Sequence, residues 1–339
     1  MFAVRIDRYG PPDALSAGEV PMPAPGPHDV LVRVHASGVN RLDLLLREGN
    51  VFQVPLPRIP GSDFAGEIVA LGAEVTDRRI GERVFAAPIL SCGRCEHCLR
   101  GEDNLCRTFG TVGSTIDGGY AEYAVLPARN AVPLPMSMDW HVGASFGLTY
   151  ATAAAMLRRG RLLAGESVLI LGANGGLGFA AVELARDMGA HVIAVSREPE
   201  AKAQLLARGA QAVVAPGPDM AQAVRDATGG RGAELVFEHV GAATFEQSIA
   251  ALAMDGRLVL GGVTTGIESK LDLKAIFTKR LEILGCRGSG RRDLDDVLVR
   301  VARGGVNPHI QRILPLAHAA QAHRLLDGPG VLGKIVLTA

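Results

Sequence analysis

The sequence has few lysines and no long apolar run. Lysine occurs five times against 30 arginines, and the 35 basic side chains are balanced by 35 acidic ones. A chain with zero net charge has no basic field that would attract nucleic acid or an anionic membrane. No uncharged apolar stretch is long enough to span a bilayer, and the residues after Met1 lack the features of a secretion signal. We therefore predict a cytoplasmic protein, by default an enzyme, that binds neither nucleic acid nor membrane.

Two kinds of local pattern divide the 339 residues, a length above the usual size of one hydrophobic core. The first third carries short β-type runs broken by Gly and Pro, such as 30–34 and 66–72. Further on, short apolar strands alternate with helical stretches, which predicts a parallel sheet covered on both faces. We predict an α/β protein with a doubly wound parallel sheet at 141–287. A mostly β domain would occupy 1–140, and 288–339 would return to it.

A glycine-rich segment follows the strand predicted at 167–171. It reads Gly-Ala-Asn-Gly-Gly-Leu-Gly over 172–178 and leads directly into a helical stretch. Backbone N–H groups at such a helix N-terminus bind a pyrophosphate when no side chain blocks its approach. A glycine run alone also fits a plain turn, but the strand before it, the helix after it and a second strand at 191–195 favour a dinucleotide site. The residues assigned to cofactor binding are Gly175, Gly176, Leu177 and Gly178, the last of which would let the helix pack closely on the strand.

The end of the second strand indicates which nicotinamide cofactor is bound. NAD sites usually place Asp or Glu there for the ribose 2′-hydroxyl. This chain has Ser196 and Arg197 instead, with Lys202 one helical turn beyond. An arginine offers a forked, charged donor to a 2′-phosphate. Although Glu198 is a contrary sign, the pattern favours NADP(H) over NAD.

Four of the five cysteines lie in one lobe of about residues 91–107. Cys92, Cys95, Cys98 and Cys106 have the spacing C-x2-C-x2-C-x7-C. Four thiolates from one loop suit tetrahedral zinc and fill its coordination shell, so that such a zinc is structural. Two disulfides or an iron–sulfur cluster are the alternatives, although cysteines so close in sequence bridge poorly. We predict one structural zinc per chain and expect the fifth cysteine, Cys286, to be a small core residue.

With these motifs placed, the whole chain resembles the medium-chain dehydrogenase/reductase superfamily of zinc alcohol dehydrogenases and quinone oxidoreductases. Further matching motifs are Gly-Ser-Asp-Phe-Ala-Gly at 61–66, Gly-Tyr-Ala-Glu-Tyr at 119–123, Gly-Leu-Thr at 147–149 and Gly-Lys-Ile-Val at 333–336. The resemblance implies a GroES-like catalytic domain beside a Rossmann domain, and a homodimer or homotetramer. The cysteine lobe is similar to the structural zinc lobe of alcohol dehydrogenases.

The resemblance to alcohol dehydrogenases fails at the catalytic zinc. Those enzymes supply a Cys in a Gly-x-Cys stretch, a His in Gly-His-Glu, and a Cys or Asp shortly before Gly-Leu-Thr. The matching positions here are Asn40, Ser62 and Ser145, a poor zinc site without imidazole or thiolate. Instead, residues 38–43 match the Gly-x-Asn-x-x-Asp motif of the zinc-free quinone oxidoreductase and enoyl reductase branch. We therefore expect no catalytic metal.

That branch implies an NADPH-dependent reductase that transfers hydride to an activated alkene, an enoyl compound or a quinone, since a conjugated carbonyl takes up the charge. Asn40 is the first candidate for a polar contact at the nicotinamide or substrate. Asp43 either orients the loop that carries Asn40 or forms a salt bridge with an arginine. By resemblance, the cofactor site would also include Thr149, Val240, Gly262, Val263 and Lys334.

Two other functions stay open. One is a zinc-type alcohol dehydrogenase or aldehyde reductase that uses a different donor set or a displaced zinc. The other is a non-catalytic NADPH-binding protein that senses redox state. Turnover separates the enzymes from the sensor, and the stoichiometry of bound zinc separates the two enzymes. For the predicted reductase, the partner is a small molecule with a conjugated carbonyl group.

Overall fold

A computed structural model describes all residues, 1–339. The chain forms two compact units. Unit 1 comprises Met1–Thr149, Gly290–Leu298 and Pro308–Ala339, and unit 2 comprises Tyr150–Ser289 and Val299–Asn307. Unit 1 is therefore discontinuous in sequence, because the chain comes back to it after most of unit 2 has been built.

Strands and helices are numbered along the chain. The strands are β1 (Phe2–Ile6), β2 (Leu15–Glu19), β3 (Asp29–Val39), β4 (Asp63–Leu71), β5 (Arg83–Ala86), β6 (Ile89–Leu90), β7 (Gly110–Thr111), β8 (Tyr123–Pro127), β9 (Ala131–Pro133), β10 (Ser167–Ile170), β11 (His191–Val195), β12 (Ala212–Val214), β13 (Ala233–Glu238), β14 (Leu252–Leu260), β15 (Glu282–Gly285), β16 (Ile310–Pro315) and β17 (Lys334–Thr338). The helices are α1 (Arg41–Glu48), α2 (Glu96–Leu99), α3 (Trp140–Gly143), α4 (Thr149–Arg159), α5 (Gly176–Asp187), α6 (Ala201–Ala207), α7 (Met220–Ala227), α8 (Phe245–Ala250), α9 (Leu273–Lys279), α10 (Arg291–Ala302) and α11 (Ala319–Asp327). None of these helices combines the length and the apolarity needed to cross a bilayer.

Unit 1 is built on a seven-stranded sheet in the order β16-β17-β3-β4-β5-β9, with β8 also pairing β3. Its central pair, β3 and β4, is antiparallel and aligns Gly38 with Asp63. Glycine is required at position 66 of β4, because a Cβ there would lie 2.0 Å from the carbonyl oxygen of Arg33. This register brings Asn40, which directly follows β3, beside the first residue of β4.

Unit 2 contains a six-stranded parallel sheet in the order β12-β11-β10-β13-β14-β15. Central strands such as β10 are buried along their whole length, which explains their uninterrupted apolar sequences. The strand order reverses between β10 and β13, and ligands of such sheets bind at the carboxyl ends of the strands beside that point. The predicted fold class, a doubly wound α/β sheet with a mostly β domain, is confirmed.

The expectation for Cys286 is wrong, because this residue is partly exposed. It follows β15, which is the last strand of the parallel sheet and has a neighbour on one side only. Ile283 in that strand is 38% exposed. The apolar sequence of an edge strand resembles that of an interior strand, although the edge strand pairs with a neighbouring strand on one side only.

Candidate active site and metal centre

The four clustered cysteines meet in the lobe of unit 1 formed around α2. Their sulfur atoms all lie within 4.8 Å of one another. The Sγ–Sγ distances are 4.0 Å for Cys92–Cys98, 3.5 Å for Cys95–Cys98 and 4.0 Å for Cys95–Cys106. Zinc–sulfur bonds of about 2.3 Å give a tetrahedron with edges of about 3.8 Å, whereas a disulfide joins its sulfurs at about 2.0 Å. The lobe therefore has the dimensions of a zinc–thiolate site.

Backbone N–H groups stabilise the sulfur of Cys106. The N–H groups of Cys92 and Thr108 donate to it at 3.2 and 3.4 Å. The donor of Cys92, followed by contacts with Thr108, lowers the pKa of Cys106 to about 6. This favours the thiolate that a zinc ligand must be. The imidazole of His97 lies outside the tetrad, with Nδ1 3.1 Å from Nη2 of Arg100. The donor set fits zinc and leaves no position for a substrate.

A second cluster in unit 1 centres on the buried carboxylate of Asp63. Its Oδ2 accepts from Nδ2 of Asn40 at 3.0 Å and from Nζ of Lys334 at 3.4 Å, and its Oδ1 accepts from the N–H of Leu148 at 2.7 Å. Lys334 also donates to the amide oxygen of Asn40 and to the carbonyl of Val39. Burial lowers the pKa of Lys334, whereas the nearby carboxylates of Asp63 and Asp43 act to raise it. The cluster is a buried ammonium–carboxylate pair that holds one amide between its partners.

This cluster uses the polar groups of two residues assigned to the cofactor site. Both ends of the Asn40 amide are bonded within unit 1, and Lys334 donates to three oxygen atoms there. Asn40 and Lys334 are 3% and 2% exposed. That Asn40 and Lys334 contact a cofactor or substrate stays a prediction. Such a contact requires that their present hydrogen bonds be shared with the ligand or exchanged for bonds to it.

The three positions that match catalytic zinc ligands lie around the same carboxylate. Asn40 donates to Asp63, and Ser62 directly precedes Asp63 in sequence. Ser145 follows Ala144, whose carbonyl oxygen would lie 2.0 Å from a Cβ on Gly38. Ser62 is fully buried and its hydroxyl has no hydrogen-bond partner. The hydroxyl of Ser145 donates to the backbone one turn earlier. Without imidazole or thiolate, and with Asp63 already paired, these residues do not fit zinc.

Asp43 joins the two turns that present Asn40 and Ser62. Asn40 has extended backbone angles and is the N-cap residue of helix α1. The carboxylate of Asp43 reaches back to the Asn40 N–H at 2.8 Å, as in a capping box, and accepts from the Gly61 N–H at 3.0 Å. Burial raises the pKa of Asp43 to about 6, although both backbone donors and Lys334 act to lower it. Asp43 thus holds the loop in place, and no arginine forms a salt bridge with it.

In unit 2, the glycine-rich segment turns directly from β10 into α5. Gly172 has a φ of +54°, and the N–H of Gly175 donates to its carbonyl at 3.0 Å. A Cβ on Gly178 would lie 2.3 Å from that carbonyl, so the helix can start this close to the strand only with glycine. A Cβ on Gly175 would meet only the same oxygen at 3.5 Å. The approach to the helix N-terminus past Gly175, Gly176 and Leu177 is partly open, which suits a pyrophosphate.

Other assigned residues of unit 2 lie at the carboxyl ends of β13 and β14. A Cβ on Gly172 would lie 3.3 Å from a methyl group of Val240, and a Cβ on Gly262 would lie 2.7 Å from the carbonyl of His239. The Val240 N–H donates at 2.7 Å to the buried carboxylate of Glu238, which fixes this turn. The glycine-rich segment, Val240 and Gly262, which Val263 follows, therefore meet beside the point where the strand order reverses.

His239 lies in the same place, and the sequence pattern does not single it out. Its Nε2–H donates to the carbonyl of Leu171 at 2.8 Å. Burial lowers the pKa of His239, so the imidazole is neutral and its Nδ1 is an acceptor. Its position directly after an apolar strand is the only signal, and that signal has meaning only once the order of the strands is known.

The three residues that bear on cofactor choice follow β11. Ser196 is buried, and its hydroxyl is 3.3 Å from the amide oxygen of Asn174 in the glycine-rich segment. Arg197 and Lys202 are exposed, and neither side chain forms an ion pair or hydrogen bond within the protein. Two unpaired cations therefore lie near the end of the second strand. Thr149, at the start of α4, donates to the carbonyl of Ser145 at 3.3 Å.

Two sequence families account for most of the chain. The alcohol dehydrogenase GroES-like domain matches residues 26–136, and the zinc-binding dehydrogenase family matches residues 176–303. The chain belongs to the medium-chain dehydrogenase/reductase superfamily. It is therefore an oxidoreductase of the medium-chain type.

Similar members of the superfamily carry different names. The quinone oxidoreductase of Rattus norvegicus is 31% identical over 99% of this chain and 97% of its own. The acryloyl-coenzyme A reductase of Sulfurisphaera tokodaii is 29% identical, with 97% of each chain covered. A crystal structure of an NAD-dependent alcohol dehydrogenase superposes with a TM-score of 0.95 at 38% identity, over the full length of both chains. All three have the names of oxidoreductases, and the third shares the fold of this chain.

Elemental analysis of this medium-chain oxidoreductase should find about one zinc per chain, because only the cysteine tetrad offers a complete ligand set. Cys95→Ser should reduce the zinc content to a small fraction of one and lower the unfolding midpoint. Cys286→Ser is the matched control and should retain the zinc. Two zincs per chain in the unmodified protein would contradict the ligand assignment.

Alanine at two glycines of the glycine-rich segment should separate folding from binding. Gly178→Ala places a methyl group against backbone, so we expect the unfolding midpoint to fall by about 5 °C and dinucleotide affinity to fall about tenfold or more. Gly175→Ala should reduce affinity by a similar factor with no change in the midpoint. Gly18→Ala, where no atom lies within 4 Å of the added Cβ, is the control. Unchanged dinucleotide binding by Gly175→Ala would show that the pyrophosphate lies elsewhere.

Proposed function

We propose that this protein is an NADPH-dependent reductase that transfers hydride to an activated alkene, an enoyl compound or a quinone without a catalytic metal. The observation that carries the proposal is the donor set around Asp63. By sequence motif, Asn40, Ser62 and Ser145 match the zinc ligands of alcohol dehydrogenases. Lys334 supplies a positive charge from the chain itself to Asp63.

The charge balance of this cluster supports reduction without a metal. Zinc in alcohol dehydrogenases polarises the oxygen of the substrate as a Lewis acid. Here the carboxylate of Asp63 is already paired with the ammonium of Lys334, and the Asn40 amide is bonded at both ends. Apart from the neutral hydroxyl of Ser62, the cluster has no unpaired donor, and it has no unpaired cation to stabilise an alkoxide. A conjugated acceptor needs less help, because charge that arrives at its β-carbon is delocalised onto the carbonyl oxygen.

The bound nicotinamide supplies a hydride, and the chain supplies hydrogen-bond donors and position. The hydroxyl of Ser62 is fully buried and has no partner inside the protein, so it can donate to the enolate oxygen once the bound acceptor reaches it. Asp43 holds the backbone of Asn40 and Gly61, and with them this hydroxyl, in place. Addition of hydride to carbon and of a proton from water to the enolate completes the reduction.

The preference for NADPH over NADH rests on Arg197 and Lys202. Both cations are exposed and unpaired in the protein, and a 2′-phosphate would give them a partner. An NAD site would need an acceptor for the 2′-hydroxyl in this position. The hydroxyl of Ser196 donates to Asn174 of the glycine-rich segment and accepts from the N–H of Glu198. The similar alcohol dehydrogenase described as NAD-dependent makes NADH the necessary comparison.

We further propose one structural zinc in the cysteine lobe and assembly as a homodimer or homotetramer in the cytoplasm. The outer edge of β15 has no neighbouring strand. Leu273 and Phe277 of α9 are each 72% exposed. An open strand edge with exposed apolar side chains in the same unit favours association with a second copy.

An alcohol dehydrogenase or aldehyde reductase is the second candidate, because the 38% identical structure bears that name. It would need a donor set other than the one around Asp63. A non-catalytic NADPH sensor would bind the cofactor with no turnover of any acceptor. One panel of quinones, enones, enoyl thioesters, aldehydes and alcohols, assayed with a single preparation, distinguishes these three functions.

Removing Arg197 should discriminate between the two cofactors. In Arg197→Gln, we expect the Kd for NADPH to rise about tenfold and the Kd for NADH to change less than about twofold, since only NADPH carries the 2′-phosphate. The control is Arg231→Gln, at an exposed arginine elsewhere in unit 2. Equal losses for both cofactors would mean that Arg197 acts on the fold and not on recognition.

The reaction itself should depend on conjugation and not on a removable metal. We expect NADPH oxidation with quinones or α,β-unsaturated carbonyl compounds, and oxidation of simple alcohols at least about 100-fold more slowly. A chelator that leaves the lobe zinc in place, as shown by metal content before and after treatment, should not reduce turnover. Rapid, chelator-sensitive oxidation of a primary or secondary alcohol would favour the second candidate.

A further inference from the structure

Four buried polar side chains of unit 1 form a hydrogen-bond relay that ends at Asp43. Nη1 of Arg47 is 3.2 Å from Nδ1 of His323, Nε2 of His323 is 3.2 Å from the hydroxyl of Tyr120, and that hydroxyl is 3.4 Å from Oδ2 of Asp43. All four residues are at most 1% exposed. The relay links α11 and both ends of α1 to the segment before β8.

The chemistry of Arg47 fixes the direction of every bond in the relay. A guanidinium only donates, so Nδ1 of His323 is an acceptor. Burial, together with the charge of Arg47, lowers the pKa of His323 to about 3, so the ring is neutral and carries its one proton on Nε2. That proton is donated to the oxygen of Tyr120. The Tyr120 O–H is then directed to Asp43.

The far end of the relay is the residue that sets the geometry of the candidate active site. Asp43 accepts from the N–H groups of Asn40 and Gly61. The ring of Tyr120 also lies against Gly61, where an added Cβ would be 2.6 Å from Cδ1 of the ring. Asn40 and the segment that begins at Gly61 carry the cluster around Asp63. A change in the protonation or position of Asp43 therefore reaches that cluster through two backbone hydrogen bonds.

We propose that Arg47, His323 and Tyr120 are positioning residues, which keep Asp43 ionised and aimed at the Asn40 and Gly61 turns. The proposal rests on the proposed reductase function, because its effect on turnover appears at the Asp63 cluster. None of the three is placed in contact with substrate or cofactor. Their role is to disfavour the protonated form of Asp43, because the relay directs a donor and not an acceptor toward its carboxylate.

The direction of the bonds disfavours a proton on Asp43. The bond from His323 to the Tyr120 oxygen keeps the Tyr120 O–H aimed at Asp43. A protonated Asp43 would donate a hydrogen bond, yet the Tyr120 O–H and the two backbone N–H groups that face it are all donors. Burial works in the opposite direction and raises the pKa of Asp43 to about 6. The charged or titratable groups around Asp43 are Lys334 on β17, Asp63 on β4, Arg47 on α1, His323 on α11 and Tyr120.

The test is the pH dependence of kcat for NADPH-dependent reduction in four variants. Tyr120→Phe removes the donor to Asp43, and His323→Leu frees the Tyr120 oxygen to accept from a protonated Asp43. Both should move the acid limb of the profile, expected near pH 6, upward by about 0.5 pH unit. His323→Gln keeps one acceptor and one donor and should restore the wild-type limb. Arg41→Ala, which breaks the exposed Arg41–Asp327 pair between the same two helices, should not move it.

A second readout is independent of activity. Trp140 is the only tryptophan and belongs to unit 1, so its fluorescence follows unfolding of the unit that holds the relay. The folded-state pKa of Asp43, about 6, lies above the usual 3.8. The folded state therefore binds more protons between these values, and this group makes stability fall as pH rises from about 4 to 6. In Tyr120→Phe, the fall should extend to about pH 6.5.

The outcomes separate this proposal from the reductase function. If the wild type reduces no acceptor with NADPH but Tyr120→Phe shifts the pH dependence of unfolding, the function fails and the relay stands. If the acid limb and the unfolding profile are both unchanged in Tyr120→Phe and His323→Leu, the relay is packing alone and the proposal is wrong. A shift in His323→Gln as large as in His323→Leu would also overturn it.

Discussion

The buried carboxylate of Asp63 is the group on which the candidate active site depends. Donors from three separate parts of unit 1 converge on it: the amide of Asn40 at the end of β3, the ammonium of Lys334 on β17 and the N–H of Leu148 before α4. A buried charge is stable only when it is paired and hydrogen-bonded. The pairing therefore holds together the strands and the turn that carry the residues whose motifs match the zinc-ligand motifs of alcohol dehydrogenases.

The two polar centres of unit 1, the cysteine lobe and the Asp63 cluster, differ in how their negative charge is balanced. The cysteine lobe has four sulfur donors with no cationic side chain bonded to them, so four thiolates there would need a metal to balance their charge. The Asp63 cluster contains its own cation in Lys334, and its remaining donors are amide and hydroxyl groups. A fold shared with alcohol dehydrogenases and quinone oxidoreductases does not decide between their reactions. The difference between these two centres is the reason why we propose hydride transfer to a conjugated acceptor.

Local patterns in the sequence predict part of the fold and part of the candidate site. The strand His191–Val195 is apolar and buried after its first residue, and its bounds follow from the local sequence pattern alone. Contacts between distant residues were not predictable. Tyr120 and His323 are 203 residues apart, and each looks like an ordinary core or helix residue in sequence. His239 and Cys286 show the same limit, because a strand's letters do not reveal its neighbours in the sheet.

We infer that a metal held by the cysteine tetrad does not touch the substrate. Replacement of zinc by cobalt(II), which absorbs visible light in a manner that depends on its ligands, tests this inference directly. We expect one cobalt per chain with a four-thiolate spectrum that does not change when cofactor and a conjugated acceptor are added, while turnover continues. A cobalt spectrum that shifts on addition of substrate would mean that the metal lies at the reaction site.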